Sequence, residues 1–270
     1  MARNKYTPAI AIGQRQLMLQ YRQCLRSGQK ISLDDTGFKV FSQHEEDGLL
    51  LFILSALEAC PEVFVDIGAC DGINSNCANL AVNMGWHGLF VDADAVAIER
   101  GSYFYKKIPD PWTYKPVFQC KKVTAENINA IITQSGISGT IGLLSIDIDG
   151  NDYWIWKALE SIDPLVVIVE ANVEMGLRDL VVPYDAGFSH ADRHPVYHGA
   201  SVNAFIRLGK EKNYRLVGAN RYGHNLLFVK NGFGEQALPE VDAAAVLQHP
   251  SAKESFALFD SISNMPFLKP

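Results

Sequence analysis

The sequence lacks the features that mark several classes of protein. Its five cysteines are scattered and form no Cys-x-x-Cys pair, which argues against a disulfide framework and against a zinc knuckle. The longest apolar stretches are strand-sized, so neither a signal peptide nor a membrane-spanning helix is predicted. No internal repeat and no low-complexity segment is present. These absences predict a cytoplasmic protein with no membrane partner.

The chain also has fewer basic residues than acidic residues. The 270 residues include 24 lysines and arginines against 30 aspartates and glutamates, which gives a formal net charge of −6. Proteins that bind nucleic acids neutralise phosphates with a basic surface, so no nucleic acid partner is predicted. Because 48% of the residues are apolar, the chain can bury a full core. A small molecule or a sugar is the expected substrate.

What the chain does contain is an alternation of apolar strands with helical patterns, typical of right-handed βαβ units and a parallel sheet. Two strand-like runs near its end flank a polar turn at 220–224, which predicts an antiparallel hairpin. The predicted elements are helix 47–59, strand 63–67, helix 73–84, strand 88–92, helix 94–100, strand 117–123, helix 125–134, strand 141–147, helix 151–160, strand 164–170, helix 199–209 and strands 213–219 and 225–230.

Three segments follow from this pattern. Residues 46–235 are predicted to form the α/β domain, and residues 236–270 a C-terminal tail. Residues 1–45 carry scattered basic residues around a helical stretch, so they are predicted to form an N-terminal helical arm. Such an arm could join two copies of the chain in a homo-oligomer.

Residues 63–76 are the most informative stretch. A short apolar strand leads into Asp66-x-Gly68-x-x-x-Gly72, followed by a predicted helix. The two glycines allow a sharp turn and a close approach of the backbone to a ligand. The acid at the end of the strand would repel a pyrophosphate and attract an ammonium group, so a cationic ligand is expected. The candidate contacts in this stretch are Asp66, Gly68, Ala69, Gly72 and Asn76.

A second acid, Asp92, ends the next strand, 20 positions after Gly72. A carboxylate there can accept both ribose hydroxyls of a nucleoside, and a nucleoside with an ammonium group describes S-adenosylmethionine. In these two motifs the chain resembles the class I S-adenosylmethionine-dependent methyltransferases. The resemblance implies a Rossmann-like, mostly parallel α/β sheet with a C-terminal antiparallel hairpin. Further candidate contacts with the cofactor are Asp94, Glu126 and Asp147.

Acids also gather where two later strands end. Asp147, Asp149 and Asp152 lie within six positions, and the next strand ends at Glu170 and Asn172. Ligands bind at this edge of open α/β sheets, and crowded acids repel each other unless a cation or a proton relieves them. Asp147, Asp149, Glu170 and Asn172 are therefore a candidate Mg²⁺ or Ca²⁺ site. Alternatively, Asp147 positions the methionine end of the cofactor, and the other aspartates build a helix N-terminus.

The strand-end acids loosely resemble those of the metal-dependent catechol and macrolide sugar O-methyltransferases. Asp147-Ile-Asp149-Gly150 also resembles the Asp-x-Glu-Gly element of FkbM-type methyltransferases, with Asp in place of Glu. The FkbM-type resemblance covers about residues 42–230. It implies O-methylation of a hydroxyl on a small molecule or a sugar.

Methyl transfer to a hydroxyl requires removal of a proton. The candidate catalytic residues for this step are Asp149, Glu170, His194 and His198. His190, His194 and His198 recur every four residues, but Pro195 interrupts a helix there. The segment 181–198 is therefore interpreted as a lid over the acceptor site, with a zinc site or a solvated loop as alternatives.

Two other functions stay open at the level of the sequence. A nicotinamide-dependent Rossmann oxidoreductase also uses an acid at the end of its second strand, although the Gly-x-Gly-x-x-Gly pattern is missing here because position 70 is Cys. A noncatalytic protein with a methyltransferase fold could use the arm 1–45 as an interaction surface.

Overall fold

A computed structural model describes residues 8–57, 59–108, 114–189 and 194–270. Seven strands form one sheet: β1 (Val63–Ile67), β2 (His87–Asp92), β3 (Val117–Cys120), β4 (Gly139–Ile146), β5 (Ile162–Glu170), β6 (Tyr214–Ala219) and β7 (Asn225–Lys230). Their order is β3-β2-β1-β4-β5-β7-β6. Strands β1 to β5 are parallel, whereas β7 runs antiparallel between β5 and β6. The predicted fold class, a mostly parallel α/β sheet with a C-terminal antiparallel hairpin, is confirmed.

The helices are α1 (Pro8–Arg26), α2 (Glu46–Ala56), α3 (Ala95–Lys106), α4 (Ile128–Gln134), α5 (Asp152–Ala158), α6 (Val202–Glu211), α7 (Ala243–Val246) and α8 (Pro250–Ser255), with a π-helix at Leu80–Met84. Helices α4, α5 and α6 pack on one face of the sheet, where Val65 of β1 is buried. On the other face Phe64 packs with residues of α2, the π-helix and α3. Among the described residues, no helix has the length and apolarity that crossing a membrane requires.

The predicted helix at 73–84 is wrong in its first half. The Asp71 carboxylate accepts the N–H groups of Ile73 and Asn74, and Ser75 Oγ accepts that of Cys77. These side chains compete for the N–H groups that a helix would use. The helical part begins only after this turn and continues as the π-helix.

Helix α2 is buried on all sides, since every residue from Glu46 to Ser55 is buried. Helix α1 covers its outer side, and the rings of Tyr21 and Phe52 meet edge to face at 5.2 Å. A helix enclosed in this way needs no polar face. Its first turn lies at the edge of the sheet where β7 begins, because Glu46 Oε1 accepts the side-chain N–H of Asn225 at 2.8 Å.

The residues after β7 cover the edge strand and one loop of the domain. Val241 donates its N–H to the carbonyl of Leu216 in β6 at 2.9 Å. Val181 pairs with Leu268 in an isolated antiparallel bridge. Tyr197 Oη donates to the carbonyl of Pro266. Two ends of the segment 181–198 are thus held to the C-terminal residues, while 190–193, with His190, lie outside the described part of the chain.

The arm that leads into α2 is held by one buried carboxylate. Asp47 Oδ2 accepts the N–H groups of Val40, Phe41 and Ser42 at 2.7, 2.6 and 2.9 Å. Asp47→Ala should lower the free energy of unfolding by about 2–3 kcal/mol, because three donors lose a charged acceptor. The exposed Asp35→Ala is the control and should change it by less than about 0.5 kcal/mol. Equal denaturation midpoints for the two variants would contradict this role.

Candidate active site

The turn after β1 brings three strand ends together. Gly68 has a φ of +84°, and a Cβ there would lie 1.6 Å from the carbonyl oxygen of Asp147. The N–H groups of Gly68 and Ala69 both donate to the carbonyl of Val91, at 2.9 and 3.1 Å. Only glycine permits this contact between the ends of β1, β2 and β4.

Gly72 closes the same turn. Its φ is +62°, and its carbonyl accepts a 2.7 Å hydrogen bond from the hydroxyl of Tyr105 in α3. A Cβ at Gly72 would lie 3.1 Å from the ring of Phe90. Gly72 thus shapes the turn.

Asp92 lines a cavity of about 590 Å³. Its Oδ2 accepts the N–H of Cys70 at 2.7 Å, and its Oδ1 accepts that of Asp94 at 2.8 Å. Each carboxylate oxygen keeps a further lone pair for a ligand. The cavity is also lined by Gly68, Asp147 and Asp149, so the structure brings four of the predicted site residues together.

Other residues of this cavity were not predicted from the sequence: Cys70, Asn74, Lys121, Lys122, Asn151, Phe188 and Ser189. The two lysines directly follow β3, so their position at the end of a parallel strand was a signal that sequence reasoning could have used. Phe188 gives no such signal. It reaches the site because its ring packs on Gly150, where a Cβ would lie 2.4 Å from the ring.

A smaller cavity of about 40 Å³ adjoins the first and shares Gly68 and Asp147 with it. Asp66 lines it and is buried, with Oδ2 accepting a 2.5 Å hydrogen bond from Ser75 Oγ. Burial raises the pKa of Asp66 to about 6, against the effect of Ser75. Ala69 and Asn76 line the same cavity, which joins three more predicted residues to the site.

Strand register explains why acids from separate strands meet here. Asp66 pairs with Ser145, and Glu170 pairs with Asn225. Asp147 follows directly after Ile146, which pairs with Val169. Because side chains alternate along strands, these positions place a row of polar side chains on one face of the sheet. The row comprises Asp66, Ser145, Asp147, Glu170 and Asn225.

The carboxylates are most crowded at Asp147, Asp149 and Glu170. One carboxylate oxygen can be chosen from each of these residues so that all three oxygens lie within 4.8 Å of one another. Burial, with the charge of neighbouring acids, raises the pKa of Asp147 to about 8 and that of Glu170 well above its usual value. Asp149 has a φ of +53°. Three carboxylate oxygens at this spacing fit a Mg²⁺ or Ca²⁺ ion, which prefers oxygen ligands.

Asp152 has a structural role that differs from the roles of Asp147 and Asp149. Its Oδ1 accepts the N–H of Ile148 at 2.8 Å and its Oδ2 accepts that of Gly150 at 2.9 Å. The side chain therefore holds the 147–152 loop at the start of α5. Burial raises the pKa of Asp152 to about 6, against the effect of these two donors.

Asn172 does not join the three carboxylates. Its Nδ2 donates to the carbonyls of Val196 and His198 at 2.8 and 3.0 Å, and its Oδ1 accepts the N–H of Met175 at 3.3 Å. The amide thus holds the loop that carries two predicted bases. His194 and His198 themselves lie outside the described linings of both cavities.

Asp94 and Glu126 also have structural partners. Asp94 caps α3 by accepting the N–H groups of Val96 and Ala97. Glu126 is exposed and accepts a 2.6 Å hydrogen bond from the hydroxyl of Tyr184. Neither is among the described residues that line the cavities, so the geometry gives no support to direct contact between these two acids and a cofactor.

Two residues near the row were missed by sequence reasoning. Glu46 is fully buried, and its Oε1 accepts 2.8 Å hydrogen bonds from the side chains of Asn220 and Asn225. Although burial opposes ionisation, these donors lower the pKa of Glu46. His224 lies beside the end of β5, where its carbonyl accepts the N–H of Ala171 at 2.7 Å. Burial lowers the pKa of His224, which favours the neutral imidazole.

A scan against models of protein families matches none of them, and a search of the curated proteins finds no significant match. Solved structures that resemble this one include magnesium protoporphyrin IX methyltransferase from Synechocystis PCC 6803 with bound SAM. It is 10% identical with a TM-score of 0.43, covering 69% of this chain and 78% of that chain.

The N-terminal domain of EvdMO1, in the presence of SAH and D-fucose, is 10% identical with a TM-score of 0.43, covering 80% and 95% of the two chains. An O-methyltransferase from Bacillus cereus in complex with SAH is 14% identical with a TM-score of 0.36, covering 61% and 68%. The fold assignment rests on the strand order and not on these likenesses.

The contact at Gly68 can be tested with a matched pair of glycines. Gly136 has nearly the same φ, +83°, but a Cβ there would meet nothing within 4 Å. Gly136→Ala should therefore lose only about 1–2 kcal/mol of unfolding free energy through the left-handed backbone. Gly68→Ala should lose at least about 2 kcal/mol more, because the carbonyl of Asp147 must move. Equal losses of unfolding free energy in chemical denaturation would show that Gly68 does not approach the carbonyl of Asp147 closely.

Proposed function

We propose that the protein is an S-adenosylmethionine-dependent methyltransferase that acts on a hydroxyl of a small molecule or a sugar, as the FkbM-type resemblance implies. The observation that carries this proposal is the Asp92 carboxylate, which lines the cavity of about 590 Å³. Backbone N–H groups of Cys70 and Asp94 fix its orientation. A fixed carboxylate with free lone pairs suits a ribose with two adjacent hydroxyls.

The rest of the cofactor matches the remaining parts of the site. The ammonium group of its methionine portion suits the buried Asp66, beside the small cavity. The adenine suits the wall formed by Val123 and Phe188. When bound there, S-adenosylmethionine would supply an activated methyl group. The protein would contribute orientation and the exclusion of water.

Proton removal is best supported at Asp149 and Glu170. Among the described residues, neither carboxylate has a hydrogen-bond donor or an ion-pair partner, so both are available to an acceptor hydroxyl. Because burial raises the pKa of Glu170, its ionised carboxylate is a stronger base than that of an ordinary glutamate. The neutral imidazole of His224 is a further candidate at the same edge of the sheet. His194 and His198 are less well supported: like Glu170 they lie outside the described cavity linings, but unlike Glu170 they do not converge with Asp147 and Asp149.

A divalent metal fits the proposal. Asp147, Asp149 and Glu170 would hold it, since their oxygens converge within 4.8 Å. A bound Mg²⁺ would lower the pKa of an acceptor hydroxyl. Asn172 is not included in the proposed ligand set, because its amide is engaged with the backbone of 175, 196 and 198.

Cofactor binding provides the first test. Asp92→Ala should weaken S-adenosylhomocysteine binding by about 1.5–3 kcal/mol, because charged hydrogen bonds to the ribose are lost. Glu126→Ala is the matched control and should bind as the unchanged protein does, since Glu126 faces Tyr184. Calorimetry on both variants measures this.

The same calorimetry separates the alternative functions. Binding of NAD without S-adenosylhomocysteine would favour an oxidoreductase, and binding of neither would favour a noncatalytic protein. Unchanged affinity in a folded Asp92→Ala variant would remove Asp92 from the site.

Metal binding provides the second test. Protons compete for the cluster because the pKa of Asp147 is raised to about 8, so Mn²⁺ affinity should rise steadily from pH 6 to pH 8 with release of protons. Asp149→Asn should weaken Mn²⁺ binding at least about tenfold, while the exposed Asp260→Asn should leave it unchanged. Full transfer activity in EDTA, or affinity independent of pH, would exclude the metal and leave proton removal to a protein side chain.

A further inference from the structure

A second cavity, of about 650 Å³, lies along the edge strand β6. Four parts of the chain form its walls: residues 31–34, Glu45 with Leu49, residues 217–221 and residues within 237–249. None of its described lining residues lines the cavities at Asp92 or Asp66. Its volume is within the range of small-molecule sites, about 300–1,000 Å³. It is therefore a separate candidate binding site.

One wall of this cavity is apolar. Leu33, Val217, Leu238 and Val241 are among the residues that line it. Val217 and Leu238 also belong to the buried core behind it, so this wall is built on the sheet. Helix α7 contributes Ala245 to the lining, whereas its neighbour Ala244 is not part of it. A flexible apolar body would fit against this surface.

One end of the cavity is polar, and its charged groups carry a small net negative charge. Arg221 Nε lies 3.1 Å from Glu45 Oε2, and the Arg221 N–H donates to Glu45 Oε1 at 2.5 Å. Arg221 is the only lysine or arginine in the described lining, and Glu45 already neutralises it. Asp34 adds a negative charge, and His249 lies beside Ser251 with 2.6 Å between Nδ1 and Oγ. An anionic head group would therefore be disfavoured, and a hydroxyl-bearing neutral head would find donors and acceptors.

The polar end lies at the same edge of the sheet as the carboxylate row. Asn225 at the start of β7 pairs with Glu170 at the end of β5, and the turn from Asn220 precedes Asn225. Glu46, next to Glu45 in the chain, accepts hydrogen bonds from both asparagines. A molecule in this cavity would thus have its head on the rim of the sheet that carries the candidate active site.

We propose that this cavity binds a neutral amphipathic molecule, with its apolar body against the half-buried Leu33 and Val241 and its hydroxyl-bearing head near Glu45, Arg221 and His249. The proposal does not depend on methyl transfer. It requires only that the walls from the arm, the edge strand and the C-terminal residues enclose a ligand together.

Octyl β-D-glucoside, below its micelle-forming concentration, is the probe, and calorimetry on the full chain measures its binding. Ala245→Trp should weaken binding at least tenfold by filling the cavity, while Ala244→Trp on the same helix should not change it. Sodium nonanoate, with the same eight-carbon apolar chain and an anionic head, should bind at least tenfold more weakly than the glucoside. Absence of glucoside binding, equal binding by both tryptophan variants, or equal binding of nonanoate would overturn the proposal.

A second measurement covers the case in which Ala245→Trp fails to fold. In the unchanged protein, octyl glucoside should increase the hydrogen-exchange protection of 217–221 and 243–249 and leave 66–72 unchanged. Protection at 66–72 instead would place the probe in the wrong cavity and overturn the proposal. S-adenosylhomocysteine binding is measured in parallel and should be retained by Ala245→Trp, so a failure of this inference is distinct from a failure of the methyltransferase proposal.

Discussion

Carboxylates that share one edge of a sheet cannot all be ionised at neutral pH without a cation among them, and the site depends on this constraint. Asp66, Asp147 and Glu170 lie on one face of three neighbouring strands. Burial raises the pKa of each, and repulsion by neighbouring acids adds to this effect at Asp147 and Glu170. An ammonium group, a sulfonium or a divalent metal would relieve the repulsion, whereas a phosphate would increase it. The charge of the row therefore selects the class of ligand.

The acids of this region fall into two groups by their partners. Asp47, Asp92 and Asp152 each accept two or more backbone N–H groups and hold a loop in place. Among the described residues, Asp147, Asp149 and Glu170 have no such donors. In the first group, Asp92 and Asp152 shape the loops of the site, and each oxygen of Asp92 keeps a further lone pair for a ligand. The second group is left for ligands.

Residues whose positions are fixed by the end of a strand were predictable from the sequence. Asp66, Asp92, Asp147 and Glu170 follow apolar runs, and parallel strands deliver such residues to one edge. Contacts that depend on tertiary structure were not predictable. Glu126 faces Tyr184, 58 positions later in the chain, and Asn172 turns to the carbonyls of 196 and 198. The helix at 73–84 failed because Asp71 and Ser75 bind local N–H groups, a competition that helix propensity alone does not reveal.

The central claim is that the row of acids is built for a cationic ligand. Carboxyl-carbon NMR titration tests this most directly, with Asp147 and Glu170 assigned through their Asn and Gln variants. The account predicts that Asp147 is largely protonated at pH 7 in the free protein, that Glu170 titrates well above the usual range of a glutamate, and that S-adenosylmethionine with Mg²⁺ shifts both groups towards the ionised form. Two carboxylates already ionised at pH 7 in the free protein, with no change on adding these ligands, would contradict it.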